Sequence, residues 1–221
     1  KSEVNLVVII TPHNTHAKLA LQCLRSGRHV VSEKPLAITT AECDVMIREA
    51  KKRRLLLTAY HNRHWDGCVI EALKHIRREK AIGEVYQVDG YLGGYGQPKD
   101  WWRSSKSISG GIAYDWGVHL LEYSLQIIND DMTEVTGYAR NGFWAPKTAW
   151  KKDTNEDVVS IGVRFKGGKW LNLTVSSMDA NPKNGFLEIS GTKGSYLFDG
   201  GTYELIQQMG ERKLITKGQN T

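Results

Sequence analysis

The sequence has little of what a membrane protein or a disulfide-stabilised secreted protein requires. It contains three cysteines, Cys23, Cys43 and Cys68, which are odd in number and far apart, so no disulfide framework is expected. No run approaches the roughly 20 consecutive apolar residues that a membrane-spanning helix needs, and the first residues do not resemble a signal peptide. We therefore expect a globular protein with reduced thiols, in a cytoplasmic setting and without a membrane as partner.

The sequence also lacks a glycine-rich phosphate loop. None of its 22 glycines belongs to a G-x-G-x-x-G motif, the pattern that brings backbone amides against the pyrophosphate of a dinucleotide. The glycine clusters at 93–96 and 110–111 have a different spacing. Either the chain does not form a dinucleotide-binding fold, or the first half of such a fold lies outside it.

Negative charge is in the minority, and the net charge is +6 at pH 7. Basic residues cluster at 51–54 and 74–78, where we predict the carboxyl ends of two helices. Cations stabilise that end of a helix dipole. Since no stripe of base-stacking aromatic residues accompanies either cluster, we do not expect nucleic acid as a partner.

What the sequence does contain is an alternation of apolar strands and amphipathic helices over residues 4–59. Strand patterns lie at 4–10, 29–32 and 55–59, and helical patterns lie at 17–24 and 40–53. The run at 4–10 is almost entirely apolar, as expected for a strand buried on both faces. Thr39 or Thr40 is a plausible helix cap, with Glu42 nearby. This order predicts a doubly wound α/β fold with parallel strands.

The pattern changes after residue 64, where we place a domain boundary. A helix is predicted from Asp66 to Lys80, with its apolar side formed by Val69, Ile70, Leu73 and Ile76. Alternating strand patterns follow at 85–92, 158–165, 170–176, 186–189, 196–198 and 203–206, with a helical stretch at 111–129. These features predict a mostly antiparallel sheet. Disorder is expected only in the loop around 145–155.

The stretch Ser32-Glu33-Lys34-Pro35 directly follows a short apolar strand. Ligands of open α/β sheets bind in the crevice beyond the carboxyl ends of the strands. Pro35 fixes its own φ angle and disfavours a helical conformation of Lys34, so the segment should leave the strand as a rigid bend. We expect Lys34 to point into a cleft, although a salt-bridged lysine in an ordinary surface turn has the same local sequence.

Asp115 and His119 are four residues apart in a predicted helix, which would place them on one face, one turn apart. A carboxylate beside an imidazole can hold its tautomer, as a general base requires. An unrelated aspartate and histidine fit the same spacing. Two histidine pairs also have spacings used by metal ligands: His13/His16 and His61/His64. No carboxylate cluster completes a site with them, so we expect no metal.

Taken together, several motifs resemble one known family in order and spacing. They are Thr-Pro-His-Asn-x-His at 11–16, Gly-x-His-Val-Val-x-Glu-Lys-Pro at 27–35, Tyr-His-Asn-Arg at 60–63, Trp-Arg at 102–103 and Ser-Gly-Gly-Ile-Ala-x-Asp-x-Gly-x-His-x-x-Glu at 109–122. This is the glucose-fructose oxidoreductase / inositol dehydrogenase (Gfo/Idh/MocA) family of NAD(P)-dependent oxidoreductases.

The resemblance covers nearly the whole chain and implies a fold of two parts. Residues 1–64 would be the second half of a Rossmann doubly wound parallel sheet. Residues 65–221 would be an α+β domain for substrate binding and oligomerisation, with a large, mostly antiparallel open sheet. The family's glycine-rich loop would then lie upstream, in a chain that is truncated at both ends.

The resemblance also implies roles for individual residues. The catalytic trio corresponds to Lys34, Asp115 and His119. Cofactor positions correspond to Thr11, Pro12, His16, Glu33, Lys34, Pro35, Asn62, Trp102 and Arg103. Substrate contacts correspond to Lys34, Trp102, Arg103, Asp115 and His119. The family's lysine-proline bond is often cis, and Ser109, Glu122 and His64 depart from the family pattern, which leaves the substrate open.

The activity implied is hydride transfer between NAD or NADP and a carbinol or carbonyl carbon of a sugar or polyol. Trp101 and Trp102 could stack on a sugar face. Only one helical segment is available to cover the broad sheet, so its open face should be buried in a homodimer or homotetramer. Two alternatives are an NAD-dependent, redox-neutral glycosidase of the same fold and a non-catalytic binding member.

Overall fold

The computed structural model describes residues 3–220, and the chain forms two compact units. The first unit contains Lys1–His61, Pro98–Val118 and Gly142–Glu156, and the second contains Asn62–Gln97, His119–Asn141 and Asp157–Thr221. The domain boundary predicted between residues 64 and 65 stays a prediction.

Five α-helices and eleven β-strands lie within residues 3–220. The helices are α1 (His16–Arg25), α2 (Thr40–Arg53), α3 (Gly67–Leu73), α4 (Lys106–Ser109) and α5 (Val118–Ile128). The strands are β1 (Leu6–Ile9), β2 (His29–Glu33), β3 (Leu57–Tyr60), β4 (Val85–Gly93), β5 (Met132–Arg140), β6 (Val158–Phe165), β7 (Trp170–Ser176), β8 (Leu187–Gly191), β9 (Gly194–Phe198), β10 (Thr202–Met209) and β11 (Arg212–Gln219).

In the first unit, β1, β2 and β3 form a parallel sheet in that order. Val7 pairs with Val30, and Val31 pairs with Thr58. Helices α1 and α2 connect successive strands, since parallel neighbours need a crossover connection. The predicted alternation of strands and helices is therefore confirmed.

The ends of α2 follow the capping rules. The Thr39 hydroxyl accepts a hydrogen bond from the backbone N–H of Glu42, and the Glu42 carboxylate accepts one from the backbone N–H of Thr39, which is a capping box. The last turn carries Lys51, Lys52 and Arg53, where they complement the helix dipole. The first basic cluster thus has the structural role that the sequence predicts.

Strand β1 differs from the prediction. The run at 4–10 is expected to be buried on both faces, but Leu6 and Val8 are 46% and 52% exposed. Helices α1 and α2 contact each other and pack with Ile9 and Met46 in one core. They therefore cover one face of the sheet, and alternate side chains of β1 remain exposed on the other.

The second unit contains an eight-stranded sheet in the order β11-β10-β9-β8-β4-β7-β6-β5. All neighbouring strands are antiparallel except β4 and β7, which are parallel. The predicted mostly antiparallel sheet is therefore confirmed. The sequence patterns missed β5 and β11, the two edge strands. Every residue of β5 is exposed, so no alternation of buried and exposed positions marks it.

The helix predicted from Asp66 to Lys80 is not a regular α-helix throughout. It consists of α3 followed by a π-helical turn at Lys74–Arg78. The wider turn changes which residues face the core only from Lys74 onward, and within α3 the buried residues are Cys68, Val69 and Ala72. Ile70, predicted on the apolar side, is 53% exposed, whereas Cys68 and Ile76 are buried.

The segment expected to be disordered is folded. It contains 3-10 turns at Ala145–Lys147 and Lys151–Asp153, and Thr148, Thr154 and Asn155 are buried. The hydroxyls of Thr148 and Thr154 share a hydrogen bond of 2.5 Å. A polar composition is typical of an exposed loop, but here buried polar groups form hydrogen bonds with one another inside the protein.

The three cysteines are free thiols, as predicted. Burial raises the pKa of the Cys68 thiol to about 11, which makes this thiol unreactive near neutral pH. Within residues 3–220, no helix combines the length and the apolar character needed to cross a bilayer.

Candidate active site

Lys34 directly follows β2, at the carboxyl end of the parallel sheet. The lysine is buried, and its Nζ atom lies 2.8 Å from Oδ1 of Asp115. Nζ also donates a hydrogen bond to the backbone oxygen of Asp115. The Lys34–Pro35 peptide bond is cis, as the family resemblance implies. The structure thus joins two members of the predicted catalytic trio within the first unit.

Arg103 approaches the same carboxylate oxygen. A guanidinium nitrogen lies 2.6 Å from Oδ1 of Asp115. The guanidinium carbon is 4.4 Å from the ring centroid of Trp102 and 5.5 Å from that of Trp101, distances typical of cation–π contacts. Asp115 therefore faces two cations, and Arg103 connects this carboxylate with two indole rings.

Burial and ion pairing act in opposite directions on Asp115. Burial alone would raise the pKa of this carboxyl group, but the hydrogen bond and charge of Lys34, together with Arg103, outweigh burial and hold the pKa below its usual value. Burial lowers the pKa of Lys34, and the Asp115 carboxylate offsets part of that decrease. The carboxylate is therefore ionised at neutral pH.

His13 is a site residue that the sequence analysis considered only as a possible metal ligand. It is 2% exposed, and its Nδ1 atom donates a 2.7 Å hydrogen bond to the backbone oxygen of Ser109. Its ring packs edge-on against Trp102, with centroids 4.8 Å apart. Burial lowers the pKa of His13 to about 4, so the imidazole is neutral at pH 7.

His16 is fully buried and is enclosed by backbone carbonyls. Its Nδ1 atom is 2.8 Å from the oxygen of Pro35, and its Nε2 atom is 2.9 Å from the oxygen of Thr11. A neutral imidazole has one N–H and can donate to only one of these two carbonyls, and the direct cofactor contact expected of His16 stays a prediction. Over residues 3–220, no group of three or more potential ligands is placed to hold a metal ion.

The loops at the carboxyl ends of β1 and β2 carry groups that fit the nicotinamide half of a dinucleotide. Thr11 and Pro12 follow β1 and are half-buried, as is Glu33 at the end of β2, while Pro35 is buried. Hydroxyl, carboxylate and ammonium groups can hydrogen-bond ribose hydroxyls and a carboxamide. This edge of a parallel sheet is also where such ligands bind.

Two predicted site residues belong to the second unit. Asn62 is exposed at the start of a 3-10 turn, Asn62–Trp65, and His119 is buried near the start of α5. Asp115 lies in a π-helical turn, Ala113–Gly117. The expected spacing of Asp115 and His119 in a regular α-helix is therefore wrong, because a π-helical turn contains more residues than an α-helical turn.

Two of the residues that depart from the family pattern are paired in the second unit. The Nδ1 atom of His64 is in hydrogen-bond contact with the Glu122 carboxylate, and the Gln126 amide donates to the backbone oxygen of His64. The third such residue, Ser109, lies in the first unit and is buried. Its contacts are part of the network around Asp115.

Two protein-family models match this chain. Residues 1–61 match a model described as an oxidoreductase family with an NAD-binding Rossmann fold. Residues 70–197 match the GFO/IDH/MocA C-terminal domain. Both matches agree with the fold class that the sequence patterns and the family resemblance predict.

Individual proteins show the same similarity. The scyllo-inositol 2-dehydrogenase (NADP(+)) IolW of Bacillus subtilis is 31% identical over 126 residues, covering 56% of this chain and 35% of that protein. The myo-inositol 2-dehydrogenase of Thermotoga maritima is 27% identical over 213 residues, covering 95% of this chain and 61% of that protein. The crystal structure of an NAD-binding protein from Listeria innocua superimposes with a TM-score of 0.80 at 26% identity, covering 97% of this chain and 63% of that one. The chain thus spans between 35% and 63% of the length of these proteins.

Proposed function

This chain belongs to the Gfo/Idh/MocA family of oxidoreductases, and we propose that the full-length protein transfers a hydride between NAD or NADP and a carbinol or carbonyl carbon of a sugar or polyol. The observation that carries the proposal is the convergence of Lys34 and Arg103 on one oxygen of Asp115, at 2.8 and 2.6 Å. A cation held in place by a buried carboxylate suits the stabilisation of negative charge that develops on a reacting oxygen.

The residues proposed to hold the nicotinamide cofactor are, in the first unit, those in the loops after the parallel strands and at Trp102 and Arg103; Asn62, in the second unit, is assigned from the family resemblance. The proposed residues are Thr11, Pro12, Glu33, Lys34, Pro35, Asn62, Trp102 and Arg103. When bound, the cofactor supplies the acceptor of the hydride in oxidation and its donor in reduction. His16, whose ring lies between the backbone oxygens of Thr11 and Pro35 and can donate to one of them, is assigned to the same site.

In this proposal Lys34 donates a hydrogen bond to the oxygen of the reacting carbinol. As the hydride leaves the carbon, negative charge grows on that oxygen, and the ammonium group stabilises it. The Asp115 carboxylate keeps Lys34 charged and in place, since both the hydrogen bond and the charge of Asp115 favour the ammonium form. The ion pairs of Asp115 are with Lys34 and Arg103. That Asp115 also orients His119 stays a prediction.

We assign the proton transfer to His119. In oxidation the imidazole accepts the hydroxyl proton while the hydride leaves the carbon, and in reduction it returns the proton to the alkoxide oxygen. Histidine suits this role because its usual pKa lies near neutral pH. Its burial near the start of α5 also keeps bulk water from the base.

A sugar or polyol suits the first unit's side chains. Trp101 is 48% exposed and offers an apolar face for the C–H bonds of a carbohydrate ring. Arg103 and Asp115 can hydrogen-bond hydroxyl groups. The names of two relatives, both inositol dehydrogenases, make cyclic polyols the first substrates to test.

The test is a panel of inositols, aldoses, acyclic polyols and glycosides, each with NAD and with NADP, assayed on the full-length protein through the absorbance of reduced nicotinamide and, for the glycosides, through release of the free sugar. We expect net formation of NADH or NADPH with at least one member. A redox-neutral glycosidase would cleave a glycoside without net reduction of the cofactor. A non-catalytic member would bind without turnover. Either of these results would overturn the proposal.

A further inference from the structure

The segment that follows the second 3-10 turn contains a buried amide whose hydrogen-bonding groups are both used. Asn155 is 7% exposed. Its Nδ2 atom donates a 2.6 Å hydrogen bond to the backbone oxygen of Arg103, and its Oδ1 atom accepts a 3.1 Å bond from the hydroxyl of Ser109. The backbone N–H of Asn155 also donates to the oxygen of Ser104, at 2.9 Å. Asn155 therefore makes three hydrogen bonds to the segment 103–109.

Ser109 extends this network to the other side of the site. Its hydroxyl accepts a bond from the backbone N–H of Gly111, and its carbonyl accepts the bond from His13. The His13 ring in turn packs against Trp102. The Ser109 hydroxyl can make both bonds, to Asn155 and to Gly111, because a hydroxyl donates one hydrogen bond and accepts others.

Glu156 restrains the backbone at Ile112, three residues before Asp115. Its carboxylate accepts a 3.1 Å bond from the backbone N–H of Ile112 and pairs with Lys106 at 2.7 Å. Gly111 has a φ of +123°, and a Cβ there would lie 2.7 Å from a Glu156 carboxylate oxygen. The positive φ favours glycine at this position, and a side chain there would also displace the Glu156 carboxylate.

We propose that Asn155 is a positioning residue that holds the backbone of Arg103 so that its guanidinium group reaches Oδ1 of Asp115. A long arginine side chain has many rotamers, and a fixed backbone origin, together with the ring contacts to Trp101 and Trp102, restricts it to one carboxylate oxygen. The importance of this geometry for catalysis rests on the proposed function, but the geometry itself does not.

Asn155→Ala removes the bond to the Arg103 carbonyl and the bond to Ser109. The backbone of Arg103 is then less restrained, so the favourable interaction of its guanidinium group with Asp115 weakens. Of the groups that act on Asp115, namely Lys34, Arg103 and His13, only Arg103 is held directly by Asn155. We therefore expect the titration midpoint of Asp115 to move upward, while the variant stays folded.

The measurement is a 13C NMR titration of the Asp115 carboxyl signal in this chain, assigned with Asp115→Asn. The matched control is Asp153→Asn, in the same segment, because the Asp153 carboxylate bonds Ser105 and Ser107 and does not touch Arg103. We expect an upward shift in Asn155→Ala and none in Asp153→Asn. Asn155→Ser, which can make only one of the two side-chain bonds, replaces Asn155→Ala if the latter does not fold.

A folded Asn155 variant that titrates like the wild type would overturn the inference, as would an equal shift in the Asp153 control. In the full-length enzyme the same Asn155 variant should lose roughly 10- to 100-fold in kcat/KM, the scale for a misplaced site group. If the titration shifts but no polyol is oxidised by the wild type, the proposed function fails and the positioning role stands. If polyols are oxidised but the titration of Asp115 is unchanged in the variant, the positioning role fails and the proposed function stands.

Discussion

Asp115→Asn is the substitution that most directly tests how the buried ion pairs stabilise the site. Asparagine keeps the shape of aspartate and one acceptor oxygen, but it removes the negative charge that faces Lys34 and Arg103. Both cations would then lie close together without a carboxylate between them. We expect a less stable protein in which the pKa of Lys34 is even lower, because the hydrogen bond and charge of Asp115 are the largest influences that raise it.

The magnitude follows from distance and burial. Oδ1 of Asp115 is 2.8 Å from Lys34 and 2.6 Å from Arg103, and the side chains of Lys34 and Asp115 are only 10% and 19% exposed. Removing one partner of a buried pair costs about 3–5 kcal/mol. Arg103 is 30% exposed and water can partly solvate it, so we expect a loss of about 3 kcal/mol in the free energy of unfolding at pH 7.

Urea denaturation at several pH values measures this loss. The pKa of Asp115 is lower in the folded protein than in the unfolded chain, so the stabilisation by the carboxylate is complete above about pH 4, the usual aspartate value. It disappears as the pH falls through the lower folded pKa. The difference in stability between wild type and Asp115→Asn should therefore shrink in acid.

The matched control is Glu134→Gln. Glu134 pairs with Arg164 at 3.7 Å, and their side chains are 62% and 78% exposed. Such a surface pair is worth about 0–1 kcal/mol, so the control should remain close to wild type. If Asp115→Asn loses no more stability than this control at pH 7, Lys34 and Arg103 do not form the buried pairs described above, and the reasoning is refuted.

The remaining predictions concern catalysis, cofactor binding and assembly. Lys34→Met in the full-length enzyme should lower kcat severely but change cofactor affinity by less than about tenfold, since the lost interaction forms mainly in the transition state; steady-state kinetics and a cofactor titration check this. His119→Ala should reduce the rate by about 10² to 10⁴ and flatten one limb of the pH–rate profile, and a Lys34→Met, His119→Ala double variant that keeps more than about a tenth of the rate would contradict both roles. This chain by itself should bind NAD(P) weakly, because no glycine-rich phosphate loop occurs in its sequence; calorimetry showing submicromolar affinity would be contrary evidence. One face of the eight-stranded sheet is expected to be covered in a dimer or tetramer, and sedimentation as a single monomeric species at micromolar concentration would argue against this.

The parts of the fold that the sequence predicted correctly are those that depend on neighbouring residues. The cap formed by Thr39 and Glu42 and the strand that delivers Lys34 are visible in short stretches, because capping and strand periodicity are local. The π-helical turns, including the one that carries Asp115, were not predicted. Their hydrogen-bond pattern differs from that of an α-helix although the apolar spacing looks helical.

The sequence by itself determined the order of strands and helices, the family resemblance and the residue types available to the site. Only the tertiary structure decided that Lys34 and Arg103 share one oxygen of Asp115, that His13 is buried and neutral, and that Asn155 lies within the protein instead of in a disordered loop. Lys34 and Asp115 are 81 residues apart in the chain, and Asn155 is 52 residues from Arg103. Charge, burial and hydrogen bonding act through distance in space, which no local pattern of residues records.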